Sequence, residues 1–209
     1  MRTVDPEKHQ QRRLAIIEAA IGLFAAKGLA RTTTAEICRA AGTSTGNLFH
    51  YFPSKQAIFY GIFEVDRTEW DAAFETARAD PDPWAALMTV VDRIAEEAAH
   101  PVMAGLMVEV LAQAHRDPDF AALLAESDRR MMRGVADLVE RLRAAGRAEP
   151  GLPPDTAARW VLIITDAFYG RGYPEPDRDR AAEVTTAKHL IARMLRYTGP
   201  GAPQPDPAQ

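Results

Sequence analysis

The sequence predicts an all-α protein of about nine helices, with an N-terminal three-helix head carrying a helix-turn-helix and a larger helical body. Three observations carry that reading. Apolar residues recur at three- and four-residue spacing along most of the chain, and Val, Ile and Thr never alternate with polar residues for long enough to make a strand. Alanine is abundant, which favours helix. Most of the 15 prolines stand at breaks between the periodic segments.

The first helix has a clear start and stop. Asp5 is placed to cap it, Pro6 suits its first turn and Glu7 complements its dipole. Leu14, Ile17, Ile21 and Phe24 give it an apolar stripe, and Gly28 ends it at the C′ position. A second helix follows Thr32, with Thr33 and Glu36 at the spacing of a capping box and Ile37, Ala40 and Ala41 on its apolar face. Gly42 supplies a tight turn. Ser44 or Thr43 then caps a short third helix carrying Leu48 and Phe49, which Pro53 stops. Ser54 caps the fourth, whose apolar positions run from Ile58, Ile62 and Val65 toward Trp70 and Phe74. Prolines divide the rest into five further helices, at about 83–99, 101–115, 118–145, 155–171 and 178–197, with a break at 172–176. The domain organisation expected is a helix-turn-helix head at 1–60, a body at 61–198 and a disordered tail at 199–209 rich in Gly, Pro and polar residues.

Composition narrows the function. The chain has 209 residues, 47% of them hydrophobic, enough to bury a sizeable core. A single cysteine, Cys38, excludes an internal disulfide and a cysteine-rich zinc site and fits the cytoplasm. No apolar run approaches the ~20 residues of a membrane span, and the polar start does not read as a signal peptide. The net charge of -4 is unevenly spread: residues 1–60 carry +4 and the remainder -8. A basic head on an acidic body suggests that the head alone meets a polyanion.

The segment from Thr33 to Phe52 meets the requirements of a helix-turn-helix in order. Ile37 and Leu48 lock two helices together, and Gly42 permits the reversal because it tolerates positive φ. The second helix opens on small hydrogen-bonding residues, so its start can approach DNA closely. Thr45, Gly46 and Asn47 then face the groove, His50 and Tyr51 lie about a turn further on, and Lys55 is placed to reach a phosphate. His50 reads either as a base or phosphate contact or as a plain surface residue. Cys38 reads as a small core residue.

Phe24, Lys27-Gly28, Thr32-Thr33, Ile37, Ala41-Gly42, Ser44, Gly46, Leu48, His50-Tyr51-Phe52 and Ser54-Lys55 resemble the N-terminal signature of the TetR (tetracycline repressor) family over about residues 10–65. One departure is Phe49, where the family usually has tyrosine; the packing is kept and a phosphate-reaching hydroxyl is lost. The full set of expected DNA contacts is Thr33, Thr34, Thr43, Ser44, Thr45, Gly46, Asn47, Phe49, His50, Tyr51 and Lys55. The resemblance further implies a homodimer that binds double-stranded operator DNA, pairs through its last two long helices and is released by a small molecule in the body. Ligand-dependent activation, co-repression, or a helical adaptor that has lost DNA binding are the rival readings.

The C-terminal helices support the dimer independently. From Trp160 to Tyr169 only Thr165 and Asp166 are polar, so the helix needs cover on both sides. Trp70, Phe74, Met103, Met107 and Trp160 are the residues expected to line a pocket for an apolar or amphipathic effector. Glu109, in an apolar stretch, either faces a cationic ligand or pairs with an arginine. No Ser/His/Asp or Cys/His arrangement, Gly-rich phosphate loop or metal spacing is present in the sequence, so neither catalysis, cofactor nor metal is expected.

Overall fold

The computed structural model describes residues 6–170 and 179–200. Among these lie nine helices and no strand: α1 (Pro6–Arg31), α2 (Thr34–Ala40), α3 (Thr45–Tyr51), α4 (Lys55–Ala79), α5 (Pro83–Ala99), α6 (Met103–Arg116), α7 (Pro118–Ala144), α8 (Pro154–Gly170) and α9 (Arg180–Met194). The expected cap at Asp5, the break at 172–176 and the tail from 201 onward lie outside the described residues.

The described residues form two compact units, one from within 1–69 and 101–124, the other from within 70–100 and 125–209. In the first, α6 packs with α1 to α3 and the start of α4, a grouping that sequence order alone does not suggest. The close packing of α6 on α1 depends on Gly105, where a Cβ would stand 2.4 Å from the Ala25 carbonyl oxygen. Phe24, Phe59, Phe63 and Phe120 meet ring to ring at 4.9–5.7 Å in the centre of this unit. The stripe of α1 is rotated from the expected one: Ile16, Ile17, Ala20 and Phe24 are buried, and Leu14 is 38% exposed. Glu109 does not pair with an arginine among the described residues. It accepts a hydrogen bond from Gln113 Nε2 at 2.6 Å, one turn along its own helix. Asp117 caps α7 by accepting from the amides of Asp119 and Phe120 at 3.1 Å, and also accepts from Tyr60 Oη at 2.6 Å. These bonds, that of Tyr60 foremost, hold its carboxyl below the ordinary range.

The second unit buries Leu87 and Val91 of α5, Leu138, Val139 and Leu142 of α7, Val161 of α8 and Ile191 and Leu195 of the α9 region. Its ends are clasped by polar contacts. Asp82 caps α5 through the amides of Trp84 and Ala85 and accepts from Arg147 Nη1 at 2.7 Å. Arg147 also bonds the Tyr197 hydroxyl, and Tyr197 stacks on Trp84 at 3.9 Å. The structured chain thus reaches past the last helix, with Tyr197 buried.

Gly134 of α7 has a structural role that its position in the sequence does not announce. A Cβ there would stand 2.3 Å from the Phe74 ring, so the ring lies against bare helix backbone. Gly134→Ala is expected to lower the melting temperature. Overpacking costs about 1–3 kcal/mol, against ~0.5–1 kcal/mol gained from helix propensity. A calorimetric scan checks this, and a raised melting temperature would mean that Phe74 moves aside freely.

Candidate nucleic-acid interface

The interface is built from three short pieces of backbone, each fixed locally. Gly28, at φ 81°, breaks the path of α1, and one further helical turn leads to Arg31. Thr33 then caps α2 in a closed capping box: its hydroxyl accepts from the Glu36 amide at 3.3 Å, and its own amide donates to Glu36 Oε2 at 2.9 Å. Lys27 reaches the other Glu36 oxygen. The Lys27 ammonium, then the Thr33 hydroxyl, pull the Glu36 carboxyl from its ordinary value near 4.5 down to about 2. A carboxylate with a depressed folded pKa contributes stability that is complete above its unfolded pKa and is lost as pH falls through the folded one. Acid unfolding of the wild type should therefore include a Glu36 component between about pH 4.5 and about pH 2. Glu36→Gln is expected to remove it; circular dichroism across this range checks the point, and an unchanged acid profile would contradict it.

After α2 the chain reverses at Gly42, φ 59°, where an L side chain would be strained. Of the two caps that the sequence left open for α3, Ser44 takes the position, its Oγ accepting from the Asn47 amide at 3.2 Å. α3 then buries a single side chain, Leu48, against the Ile37 and Phe24 core. Thr45, Gly46, Asn47, Phe49 and His50 all lie exposed, with Phe49 at 47%. A phenyl ring so exposed on a short helix is unexplained by the fold of the unit itself.

The structure brings most of the expected contact residues together, with particular partners. Asn47 Nδ2 donates to Thr43 Oγ1 at 2.7 Å, which presets the amide. Tyr51 is half-buried, and the His9 ring of α1 packs tilted against it at 4.7 Å and lies 6.1 Å from the His50 ring. Thr33 and Ser44 spend a hydroxyl lone pair on capping and remain exposed, whereas Thr34 is half-buried at the start of α2. Lys55 has a further role that its spacing did not signal: its ammonium donates to the carbonyls of Thr32 at 2.6 Å and Ala30 at 3.1 Å. It thus ties the start of α4 to the turn before α2. Cys38 is buried. Sequence reasoning missed His9, which no spacing within the helix-turn-helix could signal, and Arg39, an exposed cation in the last turn of α2.

The expected effector residues do not converge within either unit. Trp70 and Phe74 are buried in the core of the second, with Phe74 seated on Gly134. Met103 and Met107 pack partly buried on the core of the first. Trp160 is 47% exposed on the outward side of α8, with Ile163 beside it at 47%, so it does not line an interior. Of its apolar surroundings in the sequence, Val161 and Leu162 are buried in the core, and Ile163 shares the exposed side. Among the described residues no group of acids, histidines and cysteines is arranged to hold a metal ion, and no helix is long and apolar enough to cross a membrane.

Residues 16–61 match the family described as bacterial regulatory proteins, tetR family. Residues 83–196, more than half of the chain, match the family described as BetI-type transcriptional repressor, C-terminal. A relative is the HTH-type transcriptional repressor Rv1474c of Mycobacterium tuberculosis, 25% identical over 83% of this chain and 88% of that protein. Among solved structures, GusR of Salmonella enterica is similar with a TM-score of 0.68 and 24% identity, covering 89% of this chain and 96% of that one. FadR of Bacillus subtilis, solved in complex with stearoyl-CoA, is similar with a TM-score of 0.73 and 17% identity, covering 87% and 98%. Both family matches and the capped helix-turn-helix lead to one conclusion: the chain belongs to the TetR family and is a DNA-binding transcriptional regulator, not an enzyme.

Proposed function

We propose that this regulator is a cytoplasmic repressor that binds a palindromic operator as a homodimer, through a head within residues 1–60, and releases it when a small apolar or amphipathic molecule binds. The observation that carries the DNA half is α3, which commits only Leu48 to the core and turns Thr45, Gly46, Asn47, Phe49 and His50 outward. In this reading α3 lies in the major groove, Asn47 and His50 meet base edges, and Thr33, Thr34, Thr43, Ser44 and Tyr51 approach the backbone. Lys55 holds the turn behind them and offers its remaining N–H to a phosphate. Repression is favoured by the name of the Mycobacterium tuberculosis relative.

The dimer half rests on the outward faces of α8 and α9, where Trp160, Ile163 and Leu190 are about half exposed. For the effector, an apolar body is favoured by the Trp70 and Phe74 interior and by the stearoyl-CoA bound to Bacillus subtilis FadR. The test is fluorescence anisotropy with the DNA upstream of the protein's own gene, against scrambled DNA of equal length at physiological salt. The reading expects the upstream sequence to bind at least ~10³-fold more tightly, and equal binding would overturn it. Long-chain acyl compounds added to the complex are expected to weaken it roughly 5- to 150-fold, the range of ordinary allosteric coupling.

A further inference from the structure

Contacts on α5 fix the register of α8 against α9. Tyr169 of α8 donates to Glu97 at 3.4 Å, and Arg180 of α9 donates to the Ala98 carbonyl at 3.2 Å. Six residues back along α5, Asp92 pairs with Lys188 at 2.6 Å. Tyr169 and Arg180 therefore lie at one level, and α8 and α9 run antiparallel. The Glu149 amide bonds the Leu195 carbonyl at 3.1 Å, which joins the opposite ends and agrees. At ~1.5 Å per residue, Ile163 is level with about residue 186 and Trp160 with about 189. Trp160, Ile163 and Leu190 are thus neighbours and form the apolar centre of the face.

Arg159 stands exposed beside Trp160 at the centre, and two further charges on this face flank the centre on opposite sides. Asp166, exposed on α8, lies about a turn toward the C-terminal end of that helix. Arg193, exposed on α9, lies about a turn beyond Leu190, which the antiparallel course puts on the other side. Within one chain the two are well separated. Among the described residues Asp166 has neither hydrogen bond nor ion pair. Although the residue is exposed overall, partial desolvation of its carboxyl, and then the nearby Asp128 carboxylate of α7, push that carboxyl above the ordinary range. Among the described residues, therefore, no cation stands paired with this acid.

A two-fold axis lying in this face and perpendicular to the helices reverses the levels, so that α9 of the partner runs parallel to α8 and its C-terminal turn comes level with Asp166. We propose that Asp166 pairs with Arg193 of the partner subunit, twice over by symmetry, and that this pair sets the register of the dimer. The proposal rests on the dimer reading above and adds to it a determinant of partner choice. Opposite charges flanking a shared apolar patch reward this register and penalise slipped ones, where Asp166 would face the apolar centre or another acid.

The test uses the full-length protein and two variants, Asp166→Arg and Arg193→Asp, both at exposed positions. Each variant's homodimer opposes like charges at both sites, while the mixed dimer restores two opposite-charge pairs. Sedimentation equilibrium is expected to show each variant alone dimerising ~10-fold or more weakly than wild type. Native mass spectrometry of the equimolar mixture is expected to show roughly nine-tenths mixed dimer, where random pairing would give half. Random pairing, with a wild type that is a dimer, overturns the ion pair and leaves the dimer reading intact. A wild type that is monomeric at tens of micromolar overturns both.

Discussion

Gly46→Glu is expected to fold at least as stably as the wild type and to lose operator binding by ~100-fold or more. The two halves of that expectation have separate causes. A Cβ at Gly46 meets no atom within 4 Å, and the residue's φ is not positive, so a side chain enters open space without strain. Replacing glycine inside a helix gains up to ~1 kcal/mol, and an acid in the first turn complements the helix dipole. The added carboxylate, however, stands on the outward face of α3, between Thr45 and Asn47. Against a phosphate backbone a misplaced like charge costs several kcal/mol, about a thousandfold in affinity at 4 kcal/mol. Thermal denaturation and anisotropy on one preparation check both halves. A stable variant with wild-type affinity would place the DNA contact somewhere other than α3.

Trp160→Glu is expected to convert a dimer into a monomer at micromolar concentration with little change in melting temperature. Trp160 is 47% exposed in the single chain, so replacing it removes little of the chain's own core. In a dimer paired through α8 and α9 the same side chain becomes a central anchor. Tryptophans in that position typically cost ~2–4 kcal/mol or more on truncation, which is roughly 30- to 1,000-fold in the dimer constant. A carboxylate buried in its place adds a desolvation penalty. Operator affinity should fall with dimerisation, because both half-sites must be held at once. Sedimentation velocity gives the state directly. A variant that stays dimeric with unchanged affinity would move the interface off α8.

Much of the fold was legible because its signals are local. Capping boxes, prolines at first turns and a glycine in a left-handed turn act within a few residues, and Thr33, Ser44 and Gly42 all occupy the roles such signals give them. The helix-turn-helix was legible for the same reason. What was not legible depends on residues distant in sequence. The turn carbonyls that hold Lys55 come from residues 23 and 25 positions earlier, so its spacing in the motif suggested a phosphate contact alone. The placing of α6 with the head follows from Gly105 on Ala25, a contact between elements 80 residues apart that has no periodic signature. The phase error on α1, with Leu14 counted inward in place of Ile16, arises because an apolar residue at the edge of a stripe fits either side. Trp160 illustrates the limit on site reading. An aromatic in an apolar helix suits a pocket, a core or an interface equally by composition, and only its exposure separates them.

The most direct measurement of the central claim is selection of binding sites from random-sequence DNA by the wild type and by His50→Ala. His50 is exposed on α3 and caps no helix, so its loss leaves the framework of the head in place. The account predicts that the wild type enriches an inverted repeat whose half-sites lie about one helical turn apart, ~34–36 Å. It predicts that His50→Ala enriches the same repeat with preference relaxed at matching positions in each half-site. Identical sites for both proteins, or enrichment of no sequence at all, would contradict it.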